Sequence, residues 1–416
     1  MAKGLLLTVG ASADSEIFCI KEQSPEWVAF LCTRGSRTTI DKIAAQTSLA
    51  PHQYQIFESP DSPEAVGGLV ETAHKACRWL EEKCGANADI TINPTAGRKW
   101  MSMGLGMFGS RTSARQIYVD VVFVDGKPNP DTMKIVDLGN AQDHTGLFDA
   151  DLGVNLFNRG DFDGAAQVFG HIRPRFAAGR ELYRGLNGLS TALHRWDRFE
   201  HLGRNSNVSE AGRESLGELE TAAAELCMHS LKSFATAMGL LFERIRQVES
   251  AEKPSLIAIG DLAANAHRRI KTGRYDDAVA RLYRALEAIA QVLLKKRGID
   301  TSHIDWGRIS AEQQRAYNAC AREENEKMPV RVGLKQAFCL ARSLHIPEAE
   351  LFFNQQGGFC FEKHLGGRNN SILAHGWDSL DERQASKFAE KIEASLSQLD
   401  IRVVGWQVPE MPRLWT

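Results

Sequence analysis

The sequence specifies an α/β Rossmann-like domain at its start, followed by an all-α remainder. Two observations carry that reading. In the first 140 residues, short continuous apolar runs alternate with a helical stripe and break into polar, glycine-bearing loops, the pattern of buried parallel strands joined by right-handed crossovers. After Asp125-Gly126-Lys127-Pro128-Asn129-Pro130, turn chemistry gives way to long amphipathic stretches.

Leu5 to Val9 is the first apolar run, ending in Gly10-Ala11-Ser12-Ala13. Trp27 to Cys32 repeats the pattern and feeds Thr33-Arg34-Gly35-Ser36-Arg37. Apolar residues at 66, 69, 70, 73, 77, 80 and 84 form a helical stripe that packs on one side of a sheet. Ile90 to Ile92 reads as a third strand and Ile117 to Val124 as a fourth. Ligands in such sheets collect at the C-terminal strand ends. The loop there that says most is Asn93-Pro94-Thr95-Ala96-Gly97-Arg98-Lys99-Trp100-Met101, with a helix running on from it. Small residues let backbone approach a ligand, helix-start N–H groups point at anions, and Arg98 and Lys99 add charge. The spaced glycine of a Walker A loop is missing and there is no G-x-G-x-x-G, which disfavours a dinucleotide dehydrogenase. A solvated strand-to-helix turn with two surface cations is the plain alternative.

The chain has 416 residues, enough for two or three domains with real cores. Its 43% hydrophobic and 25% charged content excludes wholesale disorder. A formal net charge of −2 supplies no global positive field, so a polyanion must be held by a local patch. The eight cysteines show no C-x-x-C and no paired Cys/His spacing; they read as small buried hydrophobes in a reducing compartment, without a structural metal. No apolar run reaches the roughly 18–20 residues of a membrane span. The opening ten residues read as a strand rather than a signal peptide. A cytoplasmic protein is expected, with no membrane partner.

In the helical part, Gly160-Asp161-Phe162-Asp163-Gly164-Ala165-Ala166 is echoed by Gly273-Arg274-Tyr275-Asp276-Asp277-Ala278-Val279, 113 residues on. Both look like corners of helical hairpins, too far apart for a tandem array. The stretch around Ala251 to Ser255, with Pro254, reads as a hinge. This divides the chain into 1–140, 141–254 (a helical linker) and 255–416. Tyr283, Arg284, Glu287 and Gln291 have near-helical spacing and either line a functional face or form a local Arg–Glu pair. Ser379-Leu380-Asp381-Glu382 fits a capping box opening the last long helix. Trp406 to Thr416 has Pro409, Pro412 and two tryptophans, and no pattern that decides where it packs.

The chemistry is placed in Gly366-Gly367-Arg368-Asn369-Asn370-Ser371-Ile372-Leu373-Ala374-His375-Gly376. Helical geometry puts Arg368 and His375 within about 20° on one face, with roughly 10 Å of rise between them. A guanidinium and an imidazole so placed can hold a phosphodiester and move protons at neutral pH without a metal. An exposed Arg and a locally paired His are the plain alternative.

This stretch resembles the R-x(4–6)-H motif of HEPN ribonucleases, in which a polar residue often follows the Arg, here Asn369. The Asn93–Met101 loop resembles the D-x-T-G-G-T-K-x-M signature of CARF domains, the sensors of type III CRISPR ancillary proteins. Thr95, Gly97, Lys99 and Met101 match, while Asn93 replaces the acid, Ala96 a Gly and Arg98 a Thr. Together the two ends are similar to the CARF–HEPN ribonucleases. The resemblance implies an α/β Rossmann-like CARF domain, a helical linker and a HEPN domain. It also implies a homodimer that binds cyclic oligoadenylate as allosteric activator, without cofactor or metal, and cuts single-stranded RNA. Arg368, Asn369 and His375 would be catalytic. Gly10, Ala11, Ser12, Thr33, Ser36, Asn93, Thr95, Gly97, Arg98, Lys99 and Met101 would meet the activator. If the sensor also cleaved its ligand, Thr8, Ser12 and Lys99 would be nearest. With no basic recognition helix, stable DNA binding is not expected. The competing reading is a nucleotide-sensing scaffold or regulator whose helical bundle only dimerises.

Overall fold

The computed structural model describes residues 2–85, 88–112, 114–139, 145–322, 328–353, 359–361 and 379–415. The chain divides into two compact units, Met1–Phe148 with Ile172–Arg180, and Asp149–His171 with Glu181–Thr416.

The first unit holds strands β1 (Lys3–Thr8), β2 (Trp27–Cys32), β3 (Tyr54–Glu58), β4 (Asp89–Asn93), β5 (Arg115–Asp120), β6 (Phe123–Val124), β7 (Lys127–Pro128) and β8 (Lys134–Gly139). Its helices are α1 (Asp14–Gln23), α2 (Thr39–Thr47), α3 (Val66–Cys84) and α4 (Lys99–Ser110). The main sheet runs β3-β2-β1-β4-β5-β8, parallel except for β8, which is antiparallel to β5. Leu5, Leu7, Val28 and Phe30 pack with Ile17, Ile20, Ile40 and Ile43 on one face. Leu6, Ala29 and Ile92 pack with Leu69, Leu80, Met101 and Leu105 on the other. Helices thus cover both faces, which is why β1 and β2 read as unbroken apolar runs. The order of the strands reverses between β1 and β4, and the loops leaving those two strands flank the switch point.

Two strands of the main sheet escaped the sequence reading. Tyr54–Glu58 and Lys134–Gly139 lie at the sheet edges, half-exposed and of mixed polarity, so neither shows an apolar run. The expected strand 117–124 is also divided. It stops at Asp120, and Phe123–Val124 turns through Asp125 and Gly126, at φ 49° and 75°, to pair with Lys127–Pro128. That Asp-Gly step supplies the two positive φ angles a tight hairpin needs.

The second unit is helical: α5 (Leu147–Asn158), α6 (Phe162–His171), α7 (Ala177–Asp197), α8 (Val208–Glu225), α9 (His229–Ser250), α10 (Leu256–Lys271), α11 (Tyr275–Lys295), α12 (Ala311–Ala321), α13 (Leu334–Ser343), α14 (Pro347–Glu350) and α15 (Glu382–Gln398). The first two residues of α5 and the first four of α7 belong to the first unit. Both expected corners exist. Gly160 (φ 80°) joins α5 to α6, and Gly273 (φ 73°) joins α10 to α11. At the first, Asp161 accepts the Gly164 amide at 3.0 Å and the Phe157 and Phe162 rings meet edge-on at 5.3 Å. Ala165 and Ala278 are fully buried, so each pair of helices closes over a methyl group. Around α10 and α11 a core of Ile259, Leu282, Leu286, Phe338, Phe352, Ile392 and Leu396 ties in α13 and α15.

The cysteines depart from expectation in one disulfide and one exposed thiol. Cys320 of α12 and Cys339 of α13 are joined in a disulfide, with Cα atoms 5.5 Å apart. Their 19-residue separation carries no signature of this, because the pairing arises from packing of two helices. Cys227 is exposed, while Cys19, Cys32, Cys77 and Cys360 are buried as expected. No helix among the described residues is long and apolar enough to cross a membrane.

Candidate functional site

The switch point of the first unit is built by two loops pressed together. A Cβ on Gly10 would come within 2.9 Å of the Gly97 nitrogen, so only glycine lets the β1 and β4 loops meet here. Thr8 donates its hydroxyl to the Ala96 carbonyl at 2.6 Å, stitching the end of β1 to the same loop. Gly97 itself has φ 90°, a left-handed conformation that releases the chain into α4.

Inside the β4 loop, Asn93 acts as a bracket. Only 2% exposed, its Oδ1 accepts from the Thr95 amide at 3.0 Å and also from the Thr95 hydroxyl. The Thr95 oxygen in turn accepts the Val119 amide of β5 at 2.8 Å. Nearby, burial pushes the Cys19 thiol up to about 11. Met101 is 1% exposed and packs under Gly97, whose Cβ would touch its sulfur at 3.2 Å. Thr33 and Ser36 are also buried and close a capping box on each other. Asn93, Thr95, Met101, Thr33 and Ser36 therefore shape the loops from within. Thr8 is fully buried with its hydroxyl engaged, which removes it from the candidates for attack on a ligand.

The outward-facing groups of the candidate set are Ala11, Ser12, Gly97, Arg98 and Lys99, with Gly10 half-buried. Ser12 donates to Asp14 at 2.9 Å. Arg98 lies 3.5 Å from Asp61, a pair too exposed to hold it firmly. Lys99 opens α4, whose N-terminal dipole end adds positive potential at the loop.

Sequence reasoning passed over three residues here. Glu16 is fully buried and accepts the Gly10 amide at 3.0 Å, so that N–H serves the fold of the loop. Burial pushes the Glu16 carboxyl above the usual carboxylate range, against the pull of its bonds from Ser15 and Gly10. No local signal marks a helical Glu as a loop anchor. Arg34 and Arg37 are exposed beside the buried Thr33 and Ser36, and Arg37 pairs with Glu58 at 3.2 Å. Polar alternation after β2 was the available signal, since the loop sits at a strand end next to β1.

In the second unit, Arg368, Asn369 and His375 lie outside the described residues. Their flanks are described. On one side Phe359 and Phe361 are buried, and the Phe359 amide donates to Ser395 Oγ of α15 at 3.0 Å. On the other, the Leu380 amide donates to Asp276 of α11 at 3.3 Å. The capping box of α15 falls two residues later than expected. Asp381 Oδ1 accepts the Gln384 amide at 2.7 Å and Gln384 Oε1 accepts the Asp381 amide at 2.9 Å. The run D-E-R-Q satisfies the same rule as S-L-D-E, and a carboxylate at the helix start also meets the dipole favourably. Arg284 spans its own helix to Glu287 (3.5 Å) and Gln291 (3.1 Å), the local pairing.

Comparison with known proteins agrees at both ends. The Csm6 HEPN domain model matches residues 247–399. The chain is 24% identical over 416 residues to the CRISPR system endoribonuclease Csm6 of Thermus thermophilus, covering 95% of this chain and 85% of that one. Its fold is similar to Enterococcus italicus Csm6 bound to cyclic hexa-2′-fluoro-hexa-dAMP, with a TM-score of 0.55 and 13% identity over 96% of this chain and 94% of that chain. A Rossmann-like sheet thus precedes a helical region that matches the Csm6 HEPN domain, and in that order of parts the chain is similar to the CARF–HEPN ribonucleases of type III CRISPR systems.

Proposed function

We propose that this protein is an RNA endonuclease of CRISPR defence, activated by cyclic oligoadenylate and independent of metal. The observation that carries the reading is that the HEPN match, residues 247–399, takes in both Arg368 and His375. The sensor half is supported by two loops meeting at a strand-order switch point, with the exposed Arg98 and Lys99 next in sequence. In this reading residues 1–140 sense the activator, 141–254 link, and 255–416 cut RNA.

The ribose 2′-oxygen attacks the adjacent phosphorus, the bond to the 5′-oxygen breaks, and the products are a 2′,3′-cyclic phosphate and a 5′-hydroxyl. His375 takes the 2′-OH proton or supplies one to the leaving 5′-oxygen, and Arg368 stabilises the extra negative charge of the phosphorane. Asn369 orients the pair or the RNA backbone. Two chains contribute one Arg368 and one His375 each, so the reaction needs a homodimer. An exposed apolar stripe on α4, Met103 at 68% and Met107 at 60%, supplies a surface for that pairing beside the activator loop.

The test uses purified protein and labelled single-stranded RNA in excess chelator, with cyclic tri-, tetra- or hexa-adenylate added separately. One ring size should switch on cleavage, and His375→Ala should lower the rate at least about 100-fold with activator affinity unchanged. Activator binding with no turnover by the unaltered protein would instead mark a sensing scaffold. Loss of activator binding in His375→Ala would mean that sensor and effector are wrongly assigned.

A further inference from the structure

Residues 401–415 form no helix or strand, yet Ile401, Trp406, Met411 and Leu414 are buried. The segment leaves the end of α15 and is held by helices far from it in sequence. Asn158, the last residue of α5, grips the Met411 peptide from both sides. Its Nδ2 donates to the Met411 carbonyl at 2.9 Å and its Oδ1 accepts the Met411 amide at 2.7 Å. Trp415 Nε1 donates to the Tyr183 hydroxyl of α7 at 3.0 Å. The Trp406 ring stacks on Trp196, also of α7, at 6.3 Å and 20°. Gly260 of α10 lies under the Arg402 carbonyl, which a Cβ there would approach to 2.6 Å.

We propose that residues 401–415 are a strap tying α5 and α7 to α15, with Asn158 as a positioning residue for RNA cleavage. The inference rests on the reading given under Proposed function. In the chain, α5 begins just after the sensor and α15 begins seven residues after His375. A change in the middle helices thus has a short non-covalent route to the element that follows the catalytic motif. Segments that only fill a groove bury apolar side chains. This one is also fixed at two backbone or side-chain hydrogen-bonding points 253 and 232 residues away in sequence. Each fixes its position along the strap, as a transmitting element requires.

The test is Asn158→Ala in the full chain, with Trp415→Phe as a milder variant that keeps an aromatic ring, though a smaller one, and loses the N–H donor. Activator-stimulated kcat should fall at least tenfold in Asn158→Ala, with activator Kd and RNA KM within twofold of the unaltered protein. Tyr183→Phe and Trp415→Phe should each lower it, and combined should fall short of the sum of the two, since the two variants share one hydrogen bond. Hydrogen exchange across Glu382–Gln398 should quicken in Asn158→Ala without activator. Unchanged stimulation, or a rise in activator Kd that accounts for the loss, overturns the strap. If no ring size stimulates the unaltered protein, the functional reading fails instead. The strap then stands or falls on whether exchange in Glu382–Gln398 responds to Asn158→Ala.

Discussion

Gly10 and Gly97 show how one missing side chain sets the geometry of a site. The 2.9 Å approach between a Cβ at position 10 and the Gly97 nitrogen cannot be relieved by a flexible side-chain end, because the obstacle is backbone. Gly10→Ala must therefore push the β1 and β4 loops apart. An overpacked contact of this kind costs about 1–3 kcal/mol. The expected result is a thermal midpoint lowered by several degrees and activator affinity weakened at least tenfold, read by melting and by titration with the active ring. A midpoint and affinity both unchanged would show that the loops separate freely and that their contact is incidental. In the same loop the Thr95 hydroxyl spans Asn93 and Val119.

At the scale of the element, α4 joins two roles. Its buried side, Met101 and Leu105, completes the core above the sheet, while Lys99, Met103 and Met107 recur every fourth residue on the outside. On the proposed reading, an apolar pair exposed next to the candidate activator loop is the expected seam for a second copy. Met103→Glu places a charge on that seam without touching the core. The dimer should dissociate to monomer in light scattering, and activator-stimulated cleavage should drop at least tenfold, with the thermal midpoint of the chain kept. A stable dimer in Met103→Glu would place the seam elsewhere.

For the molecule as a whole, the −2 net charge means that the polyanionic activator proposed above must be attracted locally. The cations available at the strand ends are Arg34, Arg37, Arg98 and Lys99, of which Arg37 and Arg98 already face carboxylates. Lys99 makes no ion pair among the described residues and stands at a helix start. Activator Kd should rise with salt, as exposed charges beyond a Debye length of about 8 Å are screened. Lys99→Ala should weaken binding about tenfold at physiological salt and flatten the salt slope. A slope identical to the unaltered protein would mean that Lys99 does not face the phosphates.

Local sequence was enough for whatever depends on near neighbours along the chain. The continuous apolar runs of β1 and β2, the stripe of α3 and the glycine corners at 160 and 273 all report periodicity or backbone freedom that a few consecutive residues settle. The loop Asn93–Met101 and the Arg368/His375 spacing were visible for the same reason. Tertiary structure alone decided the pairing of the edge strands β3 and β8, the burial of Thr33, Ser36 and Asn93, the grip of Glu16 on Gly10, the Cys320–Cys339 bond and the course of residues 401–415. Each of these is fixed by a partner that becomes a neighbour only when the chain packs. The free energy of such contacts lies in surface and hydrogen bonds shared between distant segments, which no local pattern records.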